Sequence, residues 1–268
     1  MTQPNKHLRA LALGLGFAFL YAPILSLIVF SFNASPMVTS WSGFSFRWYV
    51  ALFNDDTLLR AAWLSFKIAG LTATAAVVIG TWVGYVLARA GRFRGFAVYI
   101  GMISAPLVIP EVVLGISLLI LFIEMRNAFG WPADNGMFTI WVGHTTLCMA
   151  YVAVIIQSRI HDLDRSLEEA ALDLGATPLK VFFVITLPLI APAIAAAWLL
   201  SFTLSLDDVI LASFLSGPGF TTLPMEVFSR VRLGLRPEVN ALATLFILAV
   251  GLCVIVANRV AWRKDTST

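Results

Sequence analysis

Six apolar runs divide this chain, and polar segments separate them. The pattern predicts membrane helices over Leu8–Phe32, Ala62–Ala88, Phe96–Ile123, Met137–Gln157, Leu189–Leu215 and Val239–Trp262. About 20 apolar residues cross a hydrocarbon core, and every run reaches that length. Apolar residues occupy nearly all sides of each run, so the helical period is weak, as in helices enclosed by lipid and by one another. Lys6 and Arg9 flank the first run, which is too long for the roughly 7–15-residue core of a cleaved signal, so a retained first span is expected. No internal repeat stands out. The expected fold is all-α, a polytopic membrane protein of six transmembrane helices forming one domain over residues 1–268.

Composition agrees. Of 268 residues, 59% are apolar and 12% charged, against about 25% charged in a soluble domain. A net charge of +3 is too small for a nucleic-acid surface. The excess reads instead as the positive-inside bias. With both termini cytoplasmic, the inner segments hold Lys6, Arg9, Arg89, Arg92, Arg94, Arg159, Arg165, Lys180, Arg259, Arg263 and Lys264. The outer segments hold Arg47, Arg60, Arg126, Arg230, Arg232 and Arg236, with Lys67 near the outer end of the second span. The last three arginines oppose the rule; they either contact an acidic partner or are solvated. Cys148 and Cys253 lie in apolar runs and read as packing residues. No Cys/His cluster has metal-ligand spacing, so no metal site is expected.

The polar loop 158–188 has its own helical logic. Ser166 and Glu169 match a capping box. Leu163, Leu167, Ala170 and Leu174 form one apolar stripe, and Gly175 follows as a stop. Thr177 and Pro178 open a second short helix, with Leu179, Phe182 and Phe183 as its apolar face. Pro188 marks entry to the fifth span. Ala170 and Ala171 permit close approach, while Glu168, Glu169 and Asp173 offer anionic contacts. The residues alone leave two readings open: an amphipathic connector resting on the membrane, or a docking surface for another protein.

Charges inside spans are costly and point to a pathway. Glu111 lies near the middle of the third span; Asp207 and Asp208 lie in the outer half of the fifth. These two spans run in the same direction, so the three acids can meet. Adjacent aspartates on a helix diverge by about 100°, so one faces a pathway while the other caps, pairs or faces a partner subunit. The alternative is internal bonding, with Lys67 or Arg60 as partner. Pro106 and Pro110 should bend or unwind the third span beside Glu111. Trp48 and Tyr49 read as interfacial anchors, Trp48 also as a cation–π surface. Ser205, near Asp208, is a weaker pathway candidate, and His144 reads as hydrogen-bonded packing.

One spacing is far more specific. Glu169-Ala170-Ala171, three residues, Gly175, nine residues, then Ile185, Leu187 and Pro188 resembles the cytoplasmic loop of permease subunits of binding-protein-dependent ABC importers. The segments 104–111, 176–183 and 202–208, and Gly217-Pro218-Gly219 through Leu223-Pro224-Met225, resemble the polyamine branch, the putrescine and spermidine importers. The resemblance implies a type I permease of a bacterial inner membrane, working beside a second permease, two copies of a cytoplasmic ATPase and a periplasmic polyamine-binding protein. Glu168, Glu169, Ala170, Ala171, Asp173, Gly175, Pro178, Ile185, Leu187 and Pro188 would then couple to the ATPase. Glu111, Asp207, Asp208, Trp48 and Ser205 would line the path of putrescine, whose two charges suit two carboxylates. No phosphate-binding loop of the form G-x-x-x-x-G-K-[ST] occurs, so this chain should bind no cofactor and ATP with magnesium would belong to the partner. The alternatives are spermidine or another small organic solute as cargo, or a stand-alone secondary transporter or channel. A membrane enzyme lacks a catalytic set.

Overall fold

The computed structural model describes residues 6–37, 40–91, 93–234 and 237–248. Twelve α-helices occur among them. They are α1 (Lys6–Phe30), α2 (Arg47–Phe53), α3 (Asp56–Arg89), α4 (Phe96–Val108), α5 (Glu111–Phe129), α6 (Met137–His161), α7 (Arg165–Asp173), α8 (Pro178–Val181), α9 (Leu187–Asp207), α10 (Ile210–Leu215), α11 (Leu223–Leu233) and α12 (Pro237–Leu248). A π-helical turn, Phe182–Thr186, joins α8 to α9. One isolated bridge, Asn33 to Phe44, is the extent of β pairing among the described residues.

Among the described residues, five helical stretches are long and apolar enough to span: Arg9–Phe30, Asp56–Arg89, Glu111–Phe129, Met137–His161 and Pro178–Asp207. Of the sixth expected span, α12 covers the described start; the rest, with Cys253, lies outside the described residues.

Two expected spans are interrupted. The third divides at Ile109 and Pro110, not at Pro106, which sits inside α4. Pro110 has no N–H to continue the ladder, and it forces Ile109 into an extended conformation (φ −73°, ψ 131°). The fifth, expected to run unbroken to Leu215, ends at Asp207; Asp208 is extended (φ −67°, ψ 126°) before α10 begins. Its side chain supplies the local reason, because Asp208 Oδ1 accepts from the Ala212 N–H at 2.9 Å and caps the new helix.

The chain forms two compact units, Met1–Leu59 with Val227–Thr268, and Arg60–Glu226. In the first, Asn33 organises the turn after α1. Its side chain donates to the Ser40 carbonyl at 2.7 Å and accepts from the Ser42 N–H at 2.9 Å.

In the second unit α6 is the central helix. Ile140, His144, Cys148, Val152, Ile156 and Ile160 recur every fourth residue on its most buried face. Ile68, Leu114, Ile140, Leu147, Leu211 and Leu215 form one core cluster; Ala76, Cys148, Val152, Ile156, Ile190 and Ala197 form another. α3 packs on α6 through Gly80 and Gly84. A Cβ at Gly80 would lie 2.6 Å from Val152 Cβ, and one at Gly84 2.7 Å from the Ala153 carbonyl oxygen. Only glycine permits that approach.

Candidate functional site

Both helix interruptions open on one cavity. Glu111, Leu147, Tyr151, Leu204, Asp207, Asp208, Val209 and Ile210 line a space of about 330 Å³, at the lower end of the ~300–1,000 Å³ typical of small-molecule sites. Irregular backbone at membrane depth is tolerated where it lines such a cavity. A larger cavity of about 580 Å³ between α3 and α6 holds no acid; Leu71, Val78, Ile79, Trp141 and Met149 are among its walls. It does not suit a cation.

The three acids converge, but their settings differ. Glu111 is the first residue of α5 and is exposed. Asp207 is the last residue of α9 and is also exposed. A carboxylate there adds to the negative end of the helix dipole, so the position attracts a cation. Asp208 is committed elsewhere. Its side chain is 6% exposed, caps α10 and lies 3.6 Å from His144 Nε2. The other face of His144 is held by Ser205, whose Oγ lies 2.7 Å from Nδ1. Ser205 is buried and serves the imidazole.

Tyr151 was absent from the sequence-derived set, although a signal existed: it lies seven residues after His144, on the same face of α6. Trp48 belongs to α2 in the first unit. It is buried, its indole N–H donates to the Asn33 carbonyl at 2.6 Å, and the Arg47 guanidinium stacks 4.4 Å over its ring. The cation that Trp48 meets is thus the chain's own.

The loop 158–188 forms the two short helices expected, with one change. The N-cap of α7 is Asp164, whose carboxylate accepts from the Ser166 N–H at 2.9 Å, and not Ser166. An ionised acceptor two residues upstream is the stronger cap at the positive helix end. That bond holds the Asp164 carboxyl below its ordinary pKa. Gly175 closes α7 with φ +83°: its N–H donates to the Leu172 carbonyl at 2.8 Å and the Ala176 N–H to the Ala171 carbonyl at 3.1 Å, a complete Schellman motif. Thr177 Oγ1 caps α8, with Pro178 at its first position.

No residue of α7 is buried. Glu169, Ala170 and Asp173 are exposed, with Leu167 at 49% and Leu174 at 90% exposure. Leu163, the first residue of the apolar stripe, packs on a core cluster, while Leu167, Ala170 and Leu174 stay exposed. Ala171, Ile185 and Leu187 are half-buried, Pro178 and Pro188 exposed.

Glu168 faces inward. Its Oε2 accepts from Arg89 Nε at 2.8 Å and its Oε1 from Thr186 Oγ1 at 2.8 Å. It therefore ties α7 to the end of α3 and to the π-turn. Beside it the Phe182 ring stacks on Trp82 at 4.6 Å and meets Tyr85 edge-on at 4.9 Å. Trp82, Tyr85 and Arg89 recur along one face of α3, a face that the sequence analysis did not single out.

Residues 76–263 match the family described as binding-protein-dependent transport system inner membrane component. The putrescine transport system permease protein PotI of Escherichia coli (strain K12) is 60% identical over 249 residues, 93% of this chain and 89% of that protein. The spermidine/putrescine transport system permease protein PotC of the same strain is 41% identical, over 93% of this chain and 92% of that one. Among solved structures, a chain of a bacterial ABC transporter involved in the import of the acidic polysaccharide alginate superposes with a TM-score of 0.75 at 18% identity, over 97% of this chain and 99% of that chain. At that identity the likeness is one of fold.

Proposed function

The chain belongs to the inner membrane components of binding-protein-dependent transport systems, and from that premise we propose that it is the permease subunit of an ATP-driven putrescine importer. The reading rests on one observation above the others: two exposed carboxylates, Glu111 and Asp207, and a third, tethered one share a single cavity between broken helices. A diamine carrying two positive charges answers two carboxylates. Asp207, with the C-terminal carbonyls of α9, takes one ammonium; Glu111 takes the other. Charge-assisted hydrogen bonds of this kind are the strong ones. Leu147 and Leu204 suit the methylene stem, and the Tyr151 ring adds a surface for a cation. The names borne by the two relatives above support the substrate class.

The partners follow from the same reading. A second permease completes the pathway, and a periplasmic polyamine-binding protein delivers the amine. Two copies of a cytoplasmic ATPase bind ATP with magnesium and engage Glu169, Ala170, Ala171, Asp173 and the uncovered stripe of α7. Alternating access is then a movement driven through that loop.

The test is labelled putrescine uptake by the complete assembly carrying Glu111→Gln or Asp207→Asn. Each hydrogen bond to a charged group contributes about 1.5–3 kcal/mol, so each variant should raise the KM by roughly ten- to a hundredfold. Unchanged uptake kinetics in both would remove these acids from the pathway.

A further inference from the structure

We propose that His144 is a positioning residue for Asp208, holding that carboxylate on the first turn of α10 so that Glu111 and Asp207 alone are left to the cargo. The second half of the statement rests on the importer reading above; the first stands on geometry.

His144 is 2% exposed and sits in the middle of α6. Its two ring nitrogens face different elements. Nδ1 meets Ser205 Oγ, on α9, at 2.7 Å. Nε2 is buried with no hydrogen-bond partner, and the nearest carboxylate oxygen is Asp208 Oδ1 at 3.6 Å. A buried polar atom without a partner calls for an explanation. Here it points at a group one short movement away. When Ser205 donates to Nδ1, the ring proton is on Nε2 and aims at Asp208. The serine thus selects the tautomer, and the tautomer selects the bond.

Asp208 Oδ1 already accepts from the Ala212 N–H, so it serves two tasks with one oxygen. Losing the histidine contact frees the carboxylate to swing toward Asp207 and Glu111. That would turn the cavity's third carboxylate toward the other two and uncap α10. The arrangement also ties three elements, α6, α9 and α10, at the point where the fifth span is broken.

The test separates the two nitrogens. His144→Gln can place an amide where Nε2 lies but loses the Ser205 contact. His144→Asn can replace Nδ1 but cannot reach Asp208. Ser205→Ala keeps the ring and removes its orientation. Hydrogen–deuterium exchange over residues 208–215, in the complete assembly in a lipid bilayer, reads the α10 cap without requiring any substrate. His144→Asn and Ser205→Ala should speed exchange there about tenfold, and His144→Gln should stay within about twofold of the parent. If Asn protects the segment as well as Gln, His144 is a packing anchor and the proposal is wrong. Should both histidine variants fail to assemble, Ser205→Ala decides alone: unchanged exchange overturns the proposal. Putrescine KM measured on the same variants should rise about tenfold with Asn and remain near the parent value with Gln. A parent that carries no putrescine would sink the importer reading and leave the exchange result to decide His144.

Discussion

Asp55 makes three bonds with one carboxylate. Oδ1 accepts from the N–H groups of Thr57 at 3.1 Å and Leu58 at 3.0 Å, capping α3, while Oδ2 accepts from Arg230 Nη1 at 2.6 Å. Arg230, expected to be solvated or to meet an outside partner, is paired within the chain, and Glu238 lies 4.0 Å from it. Part of the positive charge of this segment is neutralised in this way. The Arg230 hydrogen bond, above all, holds the Asp55 carboxyl below its usual value. A carboxyl whose pKa is depressed by folding contributes stability above its unfolded pKa and loses that contribution as pH falls through the folded value. Asn at position 55 preserves the cap but not the charge. Asp55→Asn should therefore lower the thermal midpoint by roughly 2–4 °C at pH 7, and the gap from the parent should narrow as pH falls through and below the ordinary aspartate range. A gap that persists at acid pH would assign the loss to the cap instead.

At the scale of elements, the loop 158–188 is both exposed and anchored. α7 turns Glu169 and its apolar stripe outward, while Glu168, one residue earlier, is locked to Arg89 and Thr186. α3 has 34 residues and runs about 50 Å, well beyond the ~30 Å hydrocarbon core, which lets its end carry Arg89 to the loop. Glu168 thus links α7 to the end of α3 through Arg89 and to the π-turn before α9 through Thr186. Arg89 and Glu168 side chains are 11% and 13% exposed, and breaking a pair so enclosed strands a charge, at a cost of about 3–5 kcal/mol. Arg89→Glu and Glu168→Arg should each reduce uptake more than tenfold, and the double exchange should recover a substantial part. Failure of the double variant to exceed either single one would show that the pair does not transmit. The adjacent-residue geometry explains why sequence reading grouped Glu168 with Glu169: both were visible as acids, and only the packing of α3 against the loop distinguishes them.

At the scale of the molecule, the proposed importer requires partner chains. Tagged chain drawn from its native membrane should bring down an ATPase and a second multi-span protein, identified by mass spectrometry. Uptake by the purified chain alone would refute the assembly. By itself the sequence determined the membrane class, the helical fold, the two-helix loop with its Gly175 stop, and the meeting of Glu111 with Asp207 and Asp208, because these depend on composition, on local backbone chemistry and on the cost of charge in hydrocarbon. The tertiary structure decided the rest. It divided the fifth span at Asp208, whose carboxylate bonds the first turn of α10 and lies beside His144 of α6. It gave Trp48 to Arg47 and Asn33, turned Glu168 inward, and set His144 between Ser205 and Asp208. Those assignments depend on which groups the fold brings within bonding distance, His144 and Ser205 being 61 residues apart, or on which face of a turn is covered, and no local pattern carries that information.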